Sequence, residues 1–243
     1  MHLYCHDHPH TLTLTAEVVA ASPGRVLLSE TPFYPGGGGQ LPDKGALRSN
    51  TGGDIGVTGF EVIDGQLWHL LADPVELSGV VEAAVNPNFR QMMREMHTAT
   101  HILNALVFQS FDGALVTGVQ MNDDGTARMD FDLPEADNDR LRALEAPIND
   151  VIAQNIRVNC TYIPFEEARA VPGLIRSRSV APPPTEDGRV RIVDITGLDR
   201  QACGGTHLDN TGDTRAVKLL KIDNKGRHNR RVRLGLVGLG PLA

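Results

Sequence analysis

Two histidines lie four residues apart in the segment His97-Thr98-Ala99-Thr100-His101. On a helix, residues with this spacing share one face, so the two imidazoles can reach a single metal ion. The second position is Thr98 rather than glutamate, so the segment is not the HExxH signature of zinc proteases. Alone, such a pair is weak evidence for a metal, because helix histidines are more often ordinary surface or core residues.

A second pair of metal-binding side chains follows in the segment Cys203-Gly204-Gly205-Thr206-His207. The two glycines permit a tight backbone path that turns a thiol and an imidazole toward one ion. The alternative interpretation is a buried structural cysteine beside an unrelated histidine, with the glycines forming a turn. Together, however, the two pairs supply three imidazoles and one thiolate, a tetrahedral nitrogen and sulfur set typical of zinc. The sequence therefore predicts a Zn²⁺ site at His97, His101, Cys203 and His207.

Two other segments carry groups that chemistry could use. The glycine run Phe33-Tyr34-Pro35-Gly36-Gly37-Gly38-Gly39-Gln40 offers bare backbone amides to a phosphate or ribose, although a strained structural turn explains the same glycines. It is not a Walker loop, because no Lys-Ser/Thr pair follows it, and no nucleotide cofactor is expected. Thr117 and Gln120 follow the histidine helix and supply a hydroxyl and an amide near the expected metal site. Polar residues at the start of a strand are the alternative interpretation of that pair.

The charge of the chain is unevenly distributed. Its formal net charge of −7 argues mildly against a nucleic-acid partner. The segment Arg215–Arg233, however, holds eight of the 23 Lys and Arg residues and only one acid, Asp223. A local basic stripe binds phosphate even in an acidic chain, because screening limits each surface charge to roughly 8 Å at physiological salt. A solvated charged face would have the same composition.

The apolar periodicity changes at Asn86-Pro87. Before this point, short alternating segments predict strands of a small β-barrel-like domain. After it, an N-cap and a proline at the first helical position begin a helix that should run to Ser110. A second helix is predicted over 138–154, where Pro147 starts a new turn or a kink. The predicted fold class is α+β, with domains at 1–86 and 87–243. The predicted strands are Thr11–Ala20, Arg25–Thr31, Ile55–Ile63, Gln66–Leu71, Arg128–Phe131, Val158–Ile163, Arg189–Ile195, Ala216–Ile222 and Arg231–Val237.

Composition gives an expectation for the compartment. Three cysteines at wide spacing do not suggest a disulfide framework, and the N-terminus lacks the basic start and apolar stretch of a signal peptide. No apolar run reaches the length of about 18 residues that a membrane span needs. We expect a cytoplasmic protein without a membrane partner, whose histidine-rich N-terminus is a mobile tail rather than a second metal site.

The order of the motifs FYPGGGGQ, HTATH, CGGTH and KGRHNRR closely resembles that of AlaX-type alanyl-tRNA editing proteins. These proteins are similar to a detached editing domain of alanyl-tRNA synthetase. The resemblance extends from about Phe33 to Leu236. It implies a β-barrel-like domain followed by an α+β editing domain of the threonyl- and alanyl-tRNA synthetase second additional domain type. It also implies that zinc is held by the matching His, His, Cys and His.

The resemblance further implies hydrolysis of serine, with glycine as a second candidate, from the acceptor end of mischarged alanine tRNA. Thr117 matches a position that senses the substrate hydroxyl, and we assign it a catalytic role together with Gln120. The residues expected to bind tRNA are Gly37, Gly38, Gly39, Gln40, Lys225, Arg230 and Arg231.

Two other classes of function fit parts of the pattern. Four protein ligands close a zinc tetrahedron, whereas catalytic zinc usually keeps one position open, so a non-catalytic RNA-binding protein with a structural zinc is one alternative. A zinc hydrolase of small esters or peptides is the other, and the basic stripe and the glycine run argue against it.

Overall fold

The computed structural model describes residues 2–49, 52–134, 137–175 and 184–239. The chain divides into two compact units. The first unit comprises Met1–Gly37 and Leu41–Gln91, and the second comprises Gly38–Gln40 and Met92–Ala243.

The first unit contains a closed six-stranded barrel in which the strands follow the order β1-β2-β5-β4-β3-β6. Its side chains alternate between interior and exterior along each strand, as a half-buried strand requires. In β5, for example, Leu67, His69 and Leu71 are buried, while their neighbours are partly or fully exposed. The barrel strands are β1 Thr13–Ser22, β2 Arg25–Leu28, β3 Gly45–Ser49, β4 Asp54–Ile63, β5 Gln66–Leu71 and β6 Val80–Val85.

The periodicity argument missed three elements of this unit. Strands β3 and β6 are each bounded by residues of weak strand propensity, but both find partners on two sides and close the barrel. The N-terminus is not the tail that the sequence predicts, because Tyr4–Asp7 form a short helix, α1. Cys5 of this helix is buried.

Helix α2 spans Pro87–Ser110, as the sequence predicts. The Asn86 side chain caps its start by accepting a hydrogen bond from the backbone N–H of Phe89 at 3.0 Å. The prediction of a single apolar stripe understates its burial, because every residue from Met92 to Ala105 is buried. A helix that is buried on all sides lies in the interior of its unit. Both histidines of the HTATH motif are therefore interior residues.

The remaining elements of the second unit form two antiparallel sheets and three short helices. One sheet has the strand order β12-β13-β8-β7 and the other the order β11-β10-β9. These strands are β7 Val116–Met121, β8 Thr126–Asp132, β9 Val158–Pro164, β10 Arg189–Ile195, β11 Asp199–Ala202, β12 Val217–Lys225 and β13 Asn229–Leu236. The helices are α3 Asn138–Arg142, α4 Glu145–Ala153 and α5 Phe165–Ala170. Strands β7 and β11 and helix α5 were not predicted.

The prediction of one helix over 138–154 was wrong, since the segment forms α3 and α4 with a break between them. The cause is Pro147, which lies in the first turn of α4, where its missing N–H removes no intrahelical hydrogen bond. Asn149 then fastens α4 to β12, because its amide both donates to and accepts from the backbone of Val217 at 2.9 Å.

The chain combines a barrel, two antiparallel sheets and several helices, which confirms the α+β class. Among the residues described here, no helix is long and apolar enough to cross a membrane.

Candidate metal centre

Helix α2 contributes two imidazoles to one buried cluster. His97 and His101 lie one helical turn apart, and their ring centroids are 5.3 Å from each other. Both side chains are almost fully enclosed. Burial of two polar rings on the same face of an interior helix is favourable only if each finds hydrogen-bonding or metal partners.

The other two side chains come from the loop that follows β11, at Cys203 and His207. A buried arginine of the neighbouring strand holds this loop. The Arg191 guanidinium donates from Nη1 to the carbonyls of Cys203 and Gly205, at 3.1 and 2.8 Å, and from Nη2 to the thiol of Cys160 at 2.8 Å. The two carbonyl contacts fix the path of the loop backbone, and the contact with Cys160 ties the same guanidinium to β9.

The four side chains form a compact donor set. One ligand atom from each of His97, His101, Cys203 and His207 lies within 4.8 Å of the others. The Cys203 Sγ lies 3.4 Å from Nε2 of both His97 and His207. Ideal tetrahedral zinc bonds of about 2.0 Å to nitrogen and about 2.3 Å to sulfur would separate such donors by roughly 3.5 Å. The residues therefore fit a tetrahedral ion of the zinc type.

The electrostatics of the cluster favour a thiolate. Burial opposes the charged form of Cys203, but the surrounding imidazoles of His97, His101 and His207 outweigh it and hold the pKa of the thiol well below its ordinary value. Burial also opposes a charged His101 ring, yet the Cys203 thiolate and the Asp199 carboxylate raise the pKa of His101 to about 10. Burial and the nearby His97 lower the pKa of His207 well below its usual range. A thiolate and a neutral imidazole are the forms that bind metal ions.

Gln40 fixes the orientation of the His97 ring. Its Oε1 accepts a hydrogen bond from the backbone N–H of Thr206 at 2.9 Å, which identifies that atom as the amide oxygen. The same oxygen lies 2.8 Å from Nδ1 of His97, so Nδ1 carries the proton and Nε2 presents its lone pair to the cluster. The Gln40 amide nitrogen donates to the Thr206 hydroxyl at 2.8 Å.

Gly205 allows the loop to approach helix α2 this closely. A Cβ atom at this position would lie 2.0 Å from Cε1 of His97 and 2.8 Å from Oε1 of Gln40. Neither distance is possible for a real side chain, so the second glycine of the CGGTH motif is a steric requirement of the cluster.

The chain is similar to known proteins over most of its length. Residues 190–233, which include the Cys203–His207 loop, match the family model of the threonyl and alanyl tRNA synthetase second additional domain. The chain is 35% identical over 219 residues to the alanyl-tRNA editing protein AlaX-M of Methanosarcina barkeri, a match that covers 87% of this chain and 88% of that protein. The chain belongs to the AlaX family of alanyl-tRNA editing proteins. AlaX-M of Saccharolobus solfataricus is 34% identical over 218 residues, covering 88% of this AlaX-type chain and 90% of the relative. The alanine–tRNA ligase of Cutibacterium acnes is 34% identical over 228 residues, which are 88% of this chain but 24% of the ligase.

The other residues singled out in this AlaX-type sequence lie in three places: strand β7, the glycine run and the β12–β13 hairpin. Thr117 and Gln120 are on β7, where the Thr117 hydroxyl donates to Oδ1 of Asn229 at 3.3 Å and the Gln120 amide accepts from Arg128 at 3.1 Å. Among the described residues, none of the hydrogen bonds of these two side chains goes to a cluster histidine or to Cys203. Their catalytic roles stay predictions.

The glycine run has an unusual backbone. Each residue from Gly36 to Gly39 has a positive φ, between 60° and 123°, which side-chain-bearing residues rarely adopt. Gly39 also packs so closely on β7 that a Cβ atom would lie 2.7 Å from the carbonyl oxygen of Val119. The run leads to Gln40, whose side chain is buried. The sequence had predicted only that Gln40 contacts tRNA.

The basic residues of the β12–β13 hairpin differ in their partners. Arg231 forms a two-point ion pair with Asp130, with N···O distances of 2.7 and 2.8 Å. Arg230 is buried, and its guanidinium donates to the Pro134 carbonyl at 3.2 Å. Lys225 and Arg227 are exposed at the turn.

Sequence reasoning missed the residues that surround the cluster. Arg191 lies in a predicted strand without any sign of a role, and Asp199 lies in no predicted element. Thr98 lies inside the HTATH motif without a metal-binding group. The one available signal was the acid at Asp199, four positions before Cys203. Its contact with His101 depends on the pairing of β11 with β10, which the sequence analysis did not predict.

We predict that Gly205→Ala destabilises the second unit. The added methyl group must displace either the His97 ring or the Gln40 amide, and overpacking of this kind typically costs about 1–3 kcal/mol. Urea unfolding measures the loss. Gly53→Ala is the matched control, because a Cβ atom there meets nothing within 4 Å. Equal unfolding free energies for Gly205→Ala and the wild-type protein would contradict the close approach.

Proposed function

We propose that this chain is a trans-editing hydrolase that removes serine, and also glycine, from mischarged alanine tRNA with the help of zinc held by His97, His101, Cys203 and His207. The buried His₃Cys cluster, in a chain whose relatives are named alanyl-tRNA editing proteins, is the observation that carries the proposal. The ion would supply positive charge at the reacting ester, by polarising the carbonyl or by acidifying a bound water.

The arrangement of the chain's own residues suits this chemistry. The reaction splits an ester between the aminoacyl carbonyl and a ribose hydroxyl of the tRNA terminus. Water is the nucleophile, so no side-chain nucleophile is needed, and the Cys203 thiolate serves as a ligand instead. Gln40 holds the His97 ring in one tautomer, and Arg191 holds the loop that carries the thiolate, so the donor atoms are preorganised.

Deacylation of seryl-, glycyl- and alanyl-tRNA(Ala), with and without a chelator, tests the proposal. We expect many turnovers on seryl-tRNA(Ala), few on alanyl-tRNA(Ala), and loss of activity when the chelator removes the metal.

The protein as purified should carry about one zinc per chain. Cys203→Ala should lose most of this zinc, because one of four ligands is gone. Cys5→Ala is the matched control, since this cysteine lies in the first unit and is not one of the four ligands.

Three outcomes would contradict the proposal. Full zinc content in Cys203→Ala would remove that residue from the metal site. Binding of tRNA without turnover would favour an RNA-binding protein with a structural zinc. Hydrolysis of small esters with no preference for charged tRNA would favour a general zinc esterase.

We further propose that Thr117 senses the serine side chain. Its hydroxyl proton is directed at Asn229, so the oxygen is oriented to accept a hydrogen bond from a substrate hydroxyl. A site that hydrogen-bonds this hydroxyl leaves a polar group unpaired when alanine enters, which is how a small pocket rejects the cognate amino acid.

Thr117→Val keeps the shape of the side chain and removes the hydroxyl. One neutral hydrogen bond is typically worth about 0.5–1.5 kcal/mol, so we expect hydrolysis of seryl-tRNA(Ala) to fall by roughly two- to twelve-fold. Hydrolysis of glycyl-tRNA(Ala) should not change, because glycine has no hydroxyl. Equal losses on the two substrates would give Thr117 a structural role, and Gln120 would then be the next candidate for the contact.

For the tRNA backbone, we propose that the tip of the β12–β13 hairpin, formed by Lys225 and Arg227, makes the main phosphate contacts. In this hairpin the sequence-based assignment named Lys225, Arg230 and Arg231, and not Arg227. Arg230 is buried, and the charge of Arg231 is paired with Asp130, so neither guanidinium is readily available to a phosphate. The glycine run 37–39 remains a candidate for contacts through its backbone amides.

Two double variants separate these groups. Replacing Lys225 and Arg227 with Ala should weaken tRNA binding and reduce the slope of log affinity against log salt concentration by about two, since each phosphate contact contributes close to one. Replacing Arg230 and Arg231 with Ala should change the slope much less. A larger change in slope for the Arg230 and Arg231 variant would instead support these two arginines as the phosphate contacts.

A further inference from the structure

Each of the three cluster imidazoles is backed by a different kind of outer group. In every case the outer partner lies at Nδ1: a carboxylate at His101, a carboxamide at His97 and a hydroxyl at His207. The nitrogen left for the cluster is Nε2 in all three rings. The effects of three different outer partners on a ligand imidazole can therefore be compared within one cluster.

His101 has the strongest of these partners. Its Nδ1 donates to Oδ2 of Asp199 at 3.2 Å, and both side chains are buried. The same carboxylate oxygen accepts from Nε2 of Gln201 at 2.6 Å, and Oε1 of Gln201 accepts from Asn104 at 2.8 Å. Asn104 lies on α2, one turn after His101, so a closed circuit of side chains returns to the helix that carries the ligand. This circuit holds the Asp199 carboxylate in one position.

The other two rings have weaker partners. Oε1 of Gln40 is uncharged and is shared between His97 and the backbone of Thr206. The Thr98 hydroxyl lies 3.3 Å from Nδ1 of His207 and is also shared, because it accepts from the backbone N–H of Leu208 at 3.2 Å. A hydrogen bond to an ionised acceptor is roughly twice as strong as one between neutral groups, so the charge of Asp199, rather than the length of the contact, sets it apart from the other two partners.

Outer partners of this kind set the orientation of a ligand imidazole and its strength as a donor. We propose that Asp199 is the principal positioning residue of the metal centre, so that His101 is its most firmly held imidazole and His207 its least firmly held. This inference rests on the proposed zinc site. It also identifies His207 as the imidazole that most readily yields its place in an otherwise closed set of four ligands.

The test compares three single variants that conserve size, using zinc affinity measured by competition with a chromophoric chelator. Asp199→Asn removes the charge and keeps the shape, and we expect zinc affinity to fall by about 10- to 100-fold. Thr98→Val should lower zinc affinity by only about two- to three-fold, the small end of the range for a neutral hydrogen bond. Gln201→Met leaves the carboxylate but removes its anchor, and its effect should lie between the other two.

A matched control distinguishes positioning from a general loss of charge. Asp194→Asn removes a carboxylate from β10, the partner strand of β11, at the position paired with Arg200. It should leave zinc affinity unchanged. The visible absorption of the Co²⁺-loaded proteins gives a second measurement, because its intensity reports four-coordinate binding. Asp199→Asn should lose intensity at saturating Co²⁺, and Asp194→Asn should not.

Equal zinc affinities of Asp199→Asn and Thr98→Val, or a larger effect of Thr98→Val, would overturn the proposal. If Asp199→Asn does not fold, Gln201→Met decides, and an effect no larger than that of Thr98→Val overturns it. These measurements use the metal alone. A protein that shows the expected ranking but hydrolyses no charged tRNA would refute the proposed function and leave this inference intact, whereas an active enzyme without the ranking would do the reverse.

Discussion

Burial of polar side chains along helix α2 is the constraint on which the second unit depends. The interior stretch from Met92 to Ala105 carries one arginine, one glutamate and two histidines: Arg94, Glu95, His97 and His101. Such groups are stable away from water only when each has a partner. The partners are supplied by distant segments: Glu95 pairs with Arg215, and the Arg94 guanidinium donates to the His207 carbonyl. Satisfying this helix therefore positions the loop that completes the cluster.

The charges around the cluster balance once a divalent cation is considered. The Cys203 thiolate and the Asp199 carboxylate together supply two negative charges in a region that excludes water. Without a counter-ion, such a pair would be costly to bury. These two anions outweigh the burial of the ring and raise the pKa of His101 to about 10, so a proton on His101 offsets part of their charge in the metal-free protein. The same donor set therefore suits the divalent ion that we propose for it.

Local patterns in the sequence were sufficient to predict which four side chains cluster, but not what surrounds them. The spacing of His97 and His101, and of Cys203 and His207, is a short-range signal, and the bounds of α2 follow from Asn86, Pro87 and the apolar repeat. Asp199 and Arg191 act through strand pairing, which no local window contains. Gln40 was interpreted as a surface contact because a glycine run does not reveal which way the next side chain is directed. The two missed barrel strands are short and owe their stability to neighbours on both sides.

The separation of the two ligand pairs along the chain has a consequence for synthesis. Cys203 follows His97 by 106 residues. At a translation rate of about 5–20 residues per second, roughly 5 to 20 seconds pass between the appearance of the first ligand and that of the thiol. During this interval three buried polar side chains of helix α2 lack their later partners and must stay in contact with water or with other proteins: Arg94, Glu95 and His101. Assembly of the four-residue cluster and closure of the interior around helix α2 are therefore late events in the life of each new chain.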